Sequence, residues 1–243
     1  MQAVVDGILT HYEIIGKKPK KLLILHGWMR SYDEWIPLAN KISDLYEIIL
    51  LDLPGFGKTA MPDNTFSIYD YATFADHFLD KIEVNKVTFL GHSFGGRIGI
   101  ILSAKTNKIT DLILVDAAGI EKRSRIALLK ITIFKLAKRI LPSRLVEKLR
   151  NSIGSPDYKS AGALRPIFLK VINEDLSYLL PKIEQSTLIV WGNKDTEVSE
   201  WKTRKMKKLI KHSILKVIWG SGHNPHIDKL NELTDAILDF IKQ

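Results

Sequence analysis

The stretch Gly91-His92-Ser93-Phe94-Gly95 constrains this chain more than any other. It joins an apolar, β-type run at 86–90 to a helix-like run at 96–102. A strand that turns directly into a helix forces the residue at the bend into a strained backbone conformation. The residues two before and two after the bend must then be nearly free of side chain, and Gly91 and Gly95 stand at those positions. Ser93 is therefore predicted to stand exposed at the carboxyl end of a central strand. The amide of Phe94 would open a helix whose positive end favours a developing oxyanion. A Gly-rich turn with an incidental serine has the same five letters, so the rest of the chain has to decide.

Short runs rich in Ile, Leu and Val recur at 21–25, 47–51, 87–90, 112–115, 188–191 and 215–218. Such continuous apolar runs suit a parallel sheet buried on both faces. Amphipathic stretches alternate with them at 34–42, 68–82, 94–104, 200–210 and 230–241. Ser67 is placed to cap the second of these and Asp228 the last. Residues 3–5 and 9–14 are predicted as a β-hairpin on the sheet's edge. This alternation implies a doubly wound α/β domain. A length of 243 residues with 45% hydrophobic and 26% charged side chains suits one soluble globular unit of that kind.

The alternation stops between about 119 and 182, where only helical patterns are found. Ile126, Leu129, Ile133, Leu136, Ala137 and Ile140 recur at helical spacing, with Lys130, Lys135, Lys138 and Arg139 on the other side, and Pro142 ends the run. A helical insertion between two strands of a parallel sheet is expected as a lid over the carboxyl edge; the alternative is a helix packed on the body without a gating role. Residues 121–182 hold 14 Lys and Arg against 5 Asp and Glu, whereas the remainder is balanced with 22 of each sign. Such a segment could attract nucleic acid, anionic lipid or an acidic substrate, or be a plain solvated surface. No nucleic-acid-binding motif accompanies it, and no apolar run reaches the length of a membrane span, so no stable membrane insertion is expected.

The absence of cysteine excludes disulfides, thiolate metal sites and a Cys nucleophile. The first residues lack a basic region followed by an apolar one, so no signal peptide is predicted and cytoplasmic residence is the expectation. Gly55-Phe56-Gly57-Lys58-Thr59 lacks the opening glycine of a phosphate-binding loop, and no metal-ligand cluster is visible. No cofactor and no metal are expected.

A serine hydroxyl needs a base within hydrogen-bond reach, and the base needs an acid to orient it. The strand at 188–191 runs into Gly192-Asn193-Lys194-Asp195, and that at 215–218 into Trp219-Gly220-Ser221-Gly222-His223. Both polar residues follow strand ends, so both could meet Ser93 above one sheet edge. Asp116, which also follows a strand, is an alternative acid. His92 is expected as packing beside the bend, and His226 on the surface or at the start of the last helix.

With His26-Gly27-Trp28 after one strand and Asp52-Leu53-Pro54-Gly55-Phe56-Gly57 after the next, these segments resemble the α/β-hydrolase superfamily nearly end to end. The likeness is to its small lid-bearing serine esterases and C–C hydrolases. It implies the α/β-hydrolase fold: a mostly parallel eight-stranded sheet flanked by helices, with a helical lid inserted after the sixth strand. The core would span 1–118 and 183–243, and the lid (cap) 119–182. By the same resemblance Ser93 is the nucleophile, His223 the base and Asp195 its orienting acid. The amides of Trp28 and Phe94 form the oxyanion hole, and His26 and Asp52 shape loops. Arg97 would contact a substrate carboxylate or else form a structural ion pair. Trp28, Phe94, Met61, Trp191, Ile133 and Phe168 could line an apolar pocket. The function implied is hydrolysis of a carboxylic ester or related carbonyl compound, the substrate being a small molecule that could be anionic. The alternatives are a C–C hydrolase or lyase acting on an anionic ketone or carboxylate, and a non-catalytic binding protein.

Overall fold

The computed structural model describes residues 1–121 and 161–242. Eight strands form one sheet: β1 (Gln2–Val5), β2 (Ile8–Ile15), β3 (Lys21–Leu25), β4 (Glu47–Leu51), β5 (Val87–His92), β6 (Ile109–Val115), β7 (Ser186–Gly192) and β8 (Ser213–Ile218). Their order is β1-β2-β4-β3-β5-β6-β7-β8. The hairpin β1–β2 is antiparallel and joins β4 antiparallel, while β4, β3, β5, β6, β7 and β8 run parallel. This is the sheet the apolar runs implied. β5 reaches two residues beyond its expected end and β6 starts three earlier, because backbone pairing with neighbours carries strands past their most apolar residues.

Successive side chains in these strands point to opposite faces, and both faces are covered. Leu23, Leu25, Ile49, Leu51, Phe89, Leu112, Leu114 and Ile189 face one core layer, under helices α2 (Ile68–Lys81), α3 (Phe94–Lys105) and α5 (Glu200–Leu209). Leu22, Ile24, Ile48, Leu50, Leu90, Ile113, Val115, Leu188 and Val190 face the other, under α1 (Ile36–Ile42) and α7 (Leu230–Ile241). Between α3 and α5 in the chain lies the short helix α4 (Arg165–Val171), and just before α7 lies α6 (Pro225–Asp228). Full burial of each large aliphatic or aromatic side chain contributes about 1.5–3 kcal/mol.

Two helix starts differ from the sequence pattern. The stretch 34–42 divides into a 3-10 turn, Tyr32–Trp35, and then α1, because Pro37 fits the first turn of a helix but cannot donate from within one. Asp228 does not cap α7; it closes α6, and its carboxylate accepts hydrogen bonds from the Gly222 amide (2.8 Å) and the Ser221 hydroxyl (2.6 Å). Ser67 does cap α2, its hydroxyl facing the Asp70 amide while the Asp70 carboxylate accepts from the Ser67 amide at 2.6 Å.

Most of the expected lid, with Ile133 and the amphipathic run 126–140, lies outside the described residues. Its far end packs on the body: Leu164, Ile167, Val171, Leu176, Leu179 and Leu180 are buried in the layer shared with α2 and α3. Removing the reciprocal cap by Ser67→Ala is expected to lower unfolding free energy by about 1 kcal/mol in urea titrations. An unchanged denaturation midpoint would show that tertiary packing alone sets the start of α2.

Candidate active site

β5 delivers the chain to Ser93, whose backbone sits at φ 47° and ψ −105°, and α3 begins at the next residue. The bend is held by three backbone hydrogen bonds: Ser93 N–H to the Val115 carbonyl (3.0 Å), and the Gly96 and Ala118 amides to the Ser93 carbonyl (3.1 and 3.2 Å). A Cβ on Gly91 would lie 2.5 Å from the Gly95 carbonyl oxygen, and one on Gly95 would run into the Leu25 carbonyl. The two glycines are therefore required by close approach, as the five-residue pattern implied.

The peptide Gly27-Trp28 lies beside the bend, since a Cβ on Gly27 would come within 3.6 Å of Ser93 Cβ. His26 ties this loop down. Its Nε2 accepts from the Leu53 amide at 3.1 Å, so the proton is on Nδ1, which donates to the Gly27 carbonyl at 2.8 Å. Asp52 organises the loop behind it, accepting from the Tyr32 and Lys58 amides, each at 2.9 Å. Among the described residues, no protein acceptor takes the amide of Trp28 or of Phe94.

The loops after β7 and β8 are joined to each other. The Asn193 amide donates to the Ile218 carbonyl (3.1 Å) and the Lys194 amide to the Ser221 carbonyl (2.8 Å). The Asn193 side chain accepts from the Gly220 amide at 2.6 Å. This pairing brings together the two residues predicted from their separate strands: His223 Nδ1–H donates to Asp195 Oδ2 at 2.8 Å. Asp195 Oδ1 accepts from the amides of Glu197 (2.7 Å) and Val198 (3.0 Å). Burial acts to raise the Asp195 carboxyl, but the His223 bond and these amides outweigh it and hold the group below the usual carboxylate range. Asp116, the alternative acid, is not bonded to His223; its Oδ1 accepts from the Gly192 amide at 2.9 Å.

Nε2 of His223 lies 3.3 Å from Glu197 Oε2. Ser93 Oγ makes no hydrogen bond among the described residues. Glu197 follows Asp195 by two residues and carries no sequence signal of its own, and Asp228, which clasps the His223 loop, was expected only as a helix cap.

A cleft of about 640 Å³ opens over Ser93. Trp28, Phe94 and Phe168 line it, with Trp28 packed edge-on against Phe94 at 5.3 Å and tilted against Phe168 at 5.1 Å. Trp191, expected in the pocket, is instead buried with its Nε1–H donated to the Val198 carbonyl. Met61 is exposed and lies outside the lining. Arg97 does line the cleft, and its guanidinium donates to the carbonyls of Glu174 and Ile172 and to Glu121, which also takes Lys202. Among the described residues no group of three or more His, Asp or Glu side chains could hold a metal, and no helix is long and apolar enough to cross a membrane.

His92 is packed beside the bend as expected, with Nε2–H donated to the His223 carbonyl at 2.8 Å. His226 is not at the surface. It is 2% exposed and stacked on Trp35 at 4.2 Å, because α6 turns the chain under Trp35 directly after Pro225. Burial holds His26, His92 and His226 below the usual histidine range.

A Ser-bearing bend at the centre of a mostly parallel eight-stranded sheet, with an Asp–His pair on the loops after β7 and β8, is the architecture of the α/β hydrolases. The chain belongs to the alpha/beta hydrolase fold family, whose model matches residues 20–143. It is 26% identical over 265 residues to an uncharacterized hydrolase of Bacillus subtilis, covering 98% of this chain and 96% of that protein. Among solved structures it is similar to a bacterial membrane phospholipase A, with TM-score 0.82 and 23% identity over 100% of this chain and 85% of the other. It is similar also to the meta-cleavage product hydrolase of Pseudomonas fluorescens, with TM-score 0.77 and 19% identity over 100% and 97%. Its relatives and neighbours further include a mouse monoacylglycerol lipase and esterases from Thermogutta terrifontis and Exiguobacterium antarcticum.

The buried histidines make the fold less stable in acid. Each has its folded pKa below the unfolded value, so it contributes stability that is present above about pH 6.5 and lost as pH falls below it. Each such histidine adds a slope of up to about 1.4 kcal/mol per pH unit. Unfolding free energy is expected to drop between pH 6.5 and 5, and His92→Asn to drop less steeply over that range. Parallel profiles for the two proteins would show that His92 takes up its proton in the folded state.

Proposed function

We propose that this chain is a serine hydrolase that cleaves a carboxylic ester or related carbonyl substrate through an acyl-enzyme. The observation that carries this reading is the 2.8 Å hydrogen bond from His223 Nδ1 to Asp195, on loops that adjoin the strained Ser93 bend. With its proton on Nδ1, His223 offers Nε2 as the base once Glu197, 3.3 Å from that nitrogen, gives way to Ser93 Oγ. Ser93 Oγ attacks the carbonyl carbon and Nε2 takes its proton. The tetrahedral oxyanion is held by the amides of Phe94 and Trp28, which have no protein acceptor among the described residues. Nε2 then protonates the leaving group. Water, deprotonated by the same nitrogen, attacks the acyl-enzyme and releases the acid. The aromatic wall of Trp28, Phe94 and Phe168 suits an apolar acyl or leaving group.

A second reading, C–C hydrolysis or lyase chemistry on an anionic ketone, draws on Arg97 and Lys202 at the cleft wall. Both are already paired with Glu121, so a substrate carboxylate would have to compete with that side chain. The third reading, a binding protein without catalysis, leaves the strain at Ser93 and the Asp195–His223 pair without a purpose.

The test is hydrolysis of p-nitrophenyl esters from acetate to laurate by the wild type and its Ser93→Ala and His223→Ala variants. Each variant is expected to lose on the order of 10⁶ in kcat, and Asp195→Ala on the order of 10⁴. Equal activity in wild type and Ser93→Ala would sink the nucleophile assignment. Turnover of a vinylogous diketone without turnover of esters would transfer the assignment to the C–C hydrolase reading.

A further inference from the structure

The carboxyl of Asp116 has a place in the site that the Asp195–His223 pair does not by itself explain. Asp116 directly follows β6, is 1% exposed, and holds φ 41°, a conformation a non-glycine residue keeps only when its surroundings fix it. Its Oδ1 accepts from the Gly192 amide, but its Oδ2 has no donor. The group that acts on it is the neighbouring carboxyl of Asp195, in the turn whose Gly192 carbonyl accepts the Asp195 amide at 2.9 Å. Two carboxylates offer only lone pairs to each other, so a bond between them needs one proton. Its owner follows from the donors around each. Asp195 already accepts from His223 Nδ1 and from two amides, which favour its ionised form. Asp116 accepts from one amide only.

We propose that Asp116 is a positioning residue of the triad, a neutral acid whose Oδ2–H is donated to the Asp195 carboxylate, fixing that carboxylate and through it the His223 ring. Asp195 sits on a loop, whereas Asp116 is anchored between β5 and β7, with its own amide donated to the Val190 carbonyl at 2.9 Å. The hydrogen bond therefore ties the loop acid to the sheet. The charged groups that face Asp116 are Asp195 on the loop after β7 and Asp228 at the end of α6. No lysine or arginine is bonded to it among the described residues. Burial first, and then these two negative charges, push its carboxyl up to about 9.

This inference rests on Ser93, His223 and Asp195 acting as proposed above, and its test reads both catalysis and a quantity independent of catalysis. Asp116→Asn keeps an acceptor for the Gly192 amide and supplies an N–H for Asp195; Asp116→Leu supplies neither. With the ester that wild type hydrolyses best, Asp116→Leu is expected to lose on the order of 10² in kcat with KM little changed, and Asp116→Asn to recover to within about tenfold of wild type. The wild-type kcat profile is expected to change near pH 9, where Asp116 ionises, and that of Asp116→Asn is not.

Stability supplies the independent readout. Folded wild type holds a proton that the unfolded chain has released, so the contribution of Asp116 to stability falls as pH rises from 6 to 9, and the Tm difference between Asp116→Asn and wild type shifts in favour of the variant over the same range. A Tm difference that is constant from pH 6 to 9 would overturn the protonated pair even if no ester is turned over. Asn and Leu variants with equally low kcat would overturn the positioning role even if the pair is protonated.

Discussion

The approach of the Gly95 backbone to the carbonyl of Leu25 is the contact on which the rest of the site depends. β3, β5 and β6 are hydrogen-bonded neighbours, so their carboxyl ends stand side by side, and α3 has to begin in the space between them. Gly91, Gly95 and Gly96 let it begin there: added Cβ atoms would meet the Gly95 carbonyl, the Leu25 carbonyl and Ala117. The left-handed turn at Ser93 costs about 1–3 kcal/mol. It is offset by α3, expected as amphipathic but buried on every side from Phe94 to Ser103, where Ile98, Ile100, Ile101 and Leu102 each contribute about 1.5–3 kcal/mol by leaving water. The strain is thus local while its compensation is spread along the helix, which keeps the bend from relaxing.

What was legible in the residues followed from periods and from required small side chains. The six parallel strands were visible because a sheet covered on both faces accepts Leu, Ile and Val at every position, as in Leu22-Leu23-Ile24-Leu25. The bend was visible because only glycine allows its contacts. Asp195 and His223 were readable as strand-end residues. That they meet depends on the Asn193–Ile218 and Lys194–Ser221 backbone bonds, which no local pattern encodes. Asp228 and His226 were misplaced for the same reason. The first clasps a loop six and seven residues upstream, and the second is buried by a stacking partner 191 positions away, Trp35. The basic run in the expected lid has periodicity but no partner signal, so its sequence alone left several readings open.

Histidine chemistry in this site is sorted by partner rather than by position. His92 lies 4.9 Å from His223 and 4.8 Å from His226, ring centre to ring centre. His26 and His92 are bonded to backbone groups and fully buried, and burial favours their neutral forms. His226 stacks on Trp35 and reaches Glu34 only at 3.5 Å. Of the four, His223 is the one whose Nδ1 bonds a buried carboxylate, and Glu197 of the cleft wall lies 3.3 Å from its Nε2.

The neutrality of His92 then has a catalytic consequence under the proposed mechanism. An imidazolium must form at His223 during acyl transfer. A second positive ring at 4.9 Å would oppose it by about 3 kcal/mol at an effective dielectric of about 20, roughly a hundredfold in rate. The desolvation that keeps His92 uncharged removes that opposition, while its Nε2–H still holds the His223 carbonyl. One buried ring therefore positions the base without competing with it for charge, and the charges nearest the imidazolium are the carboxylates of Asp195 on Nδ1 and Glu197 beside Nε2.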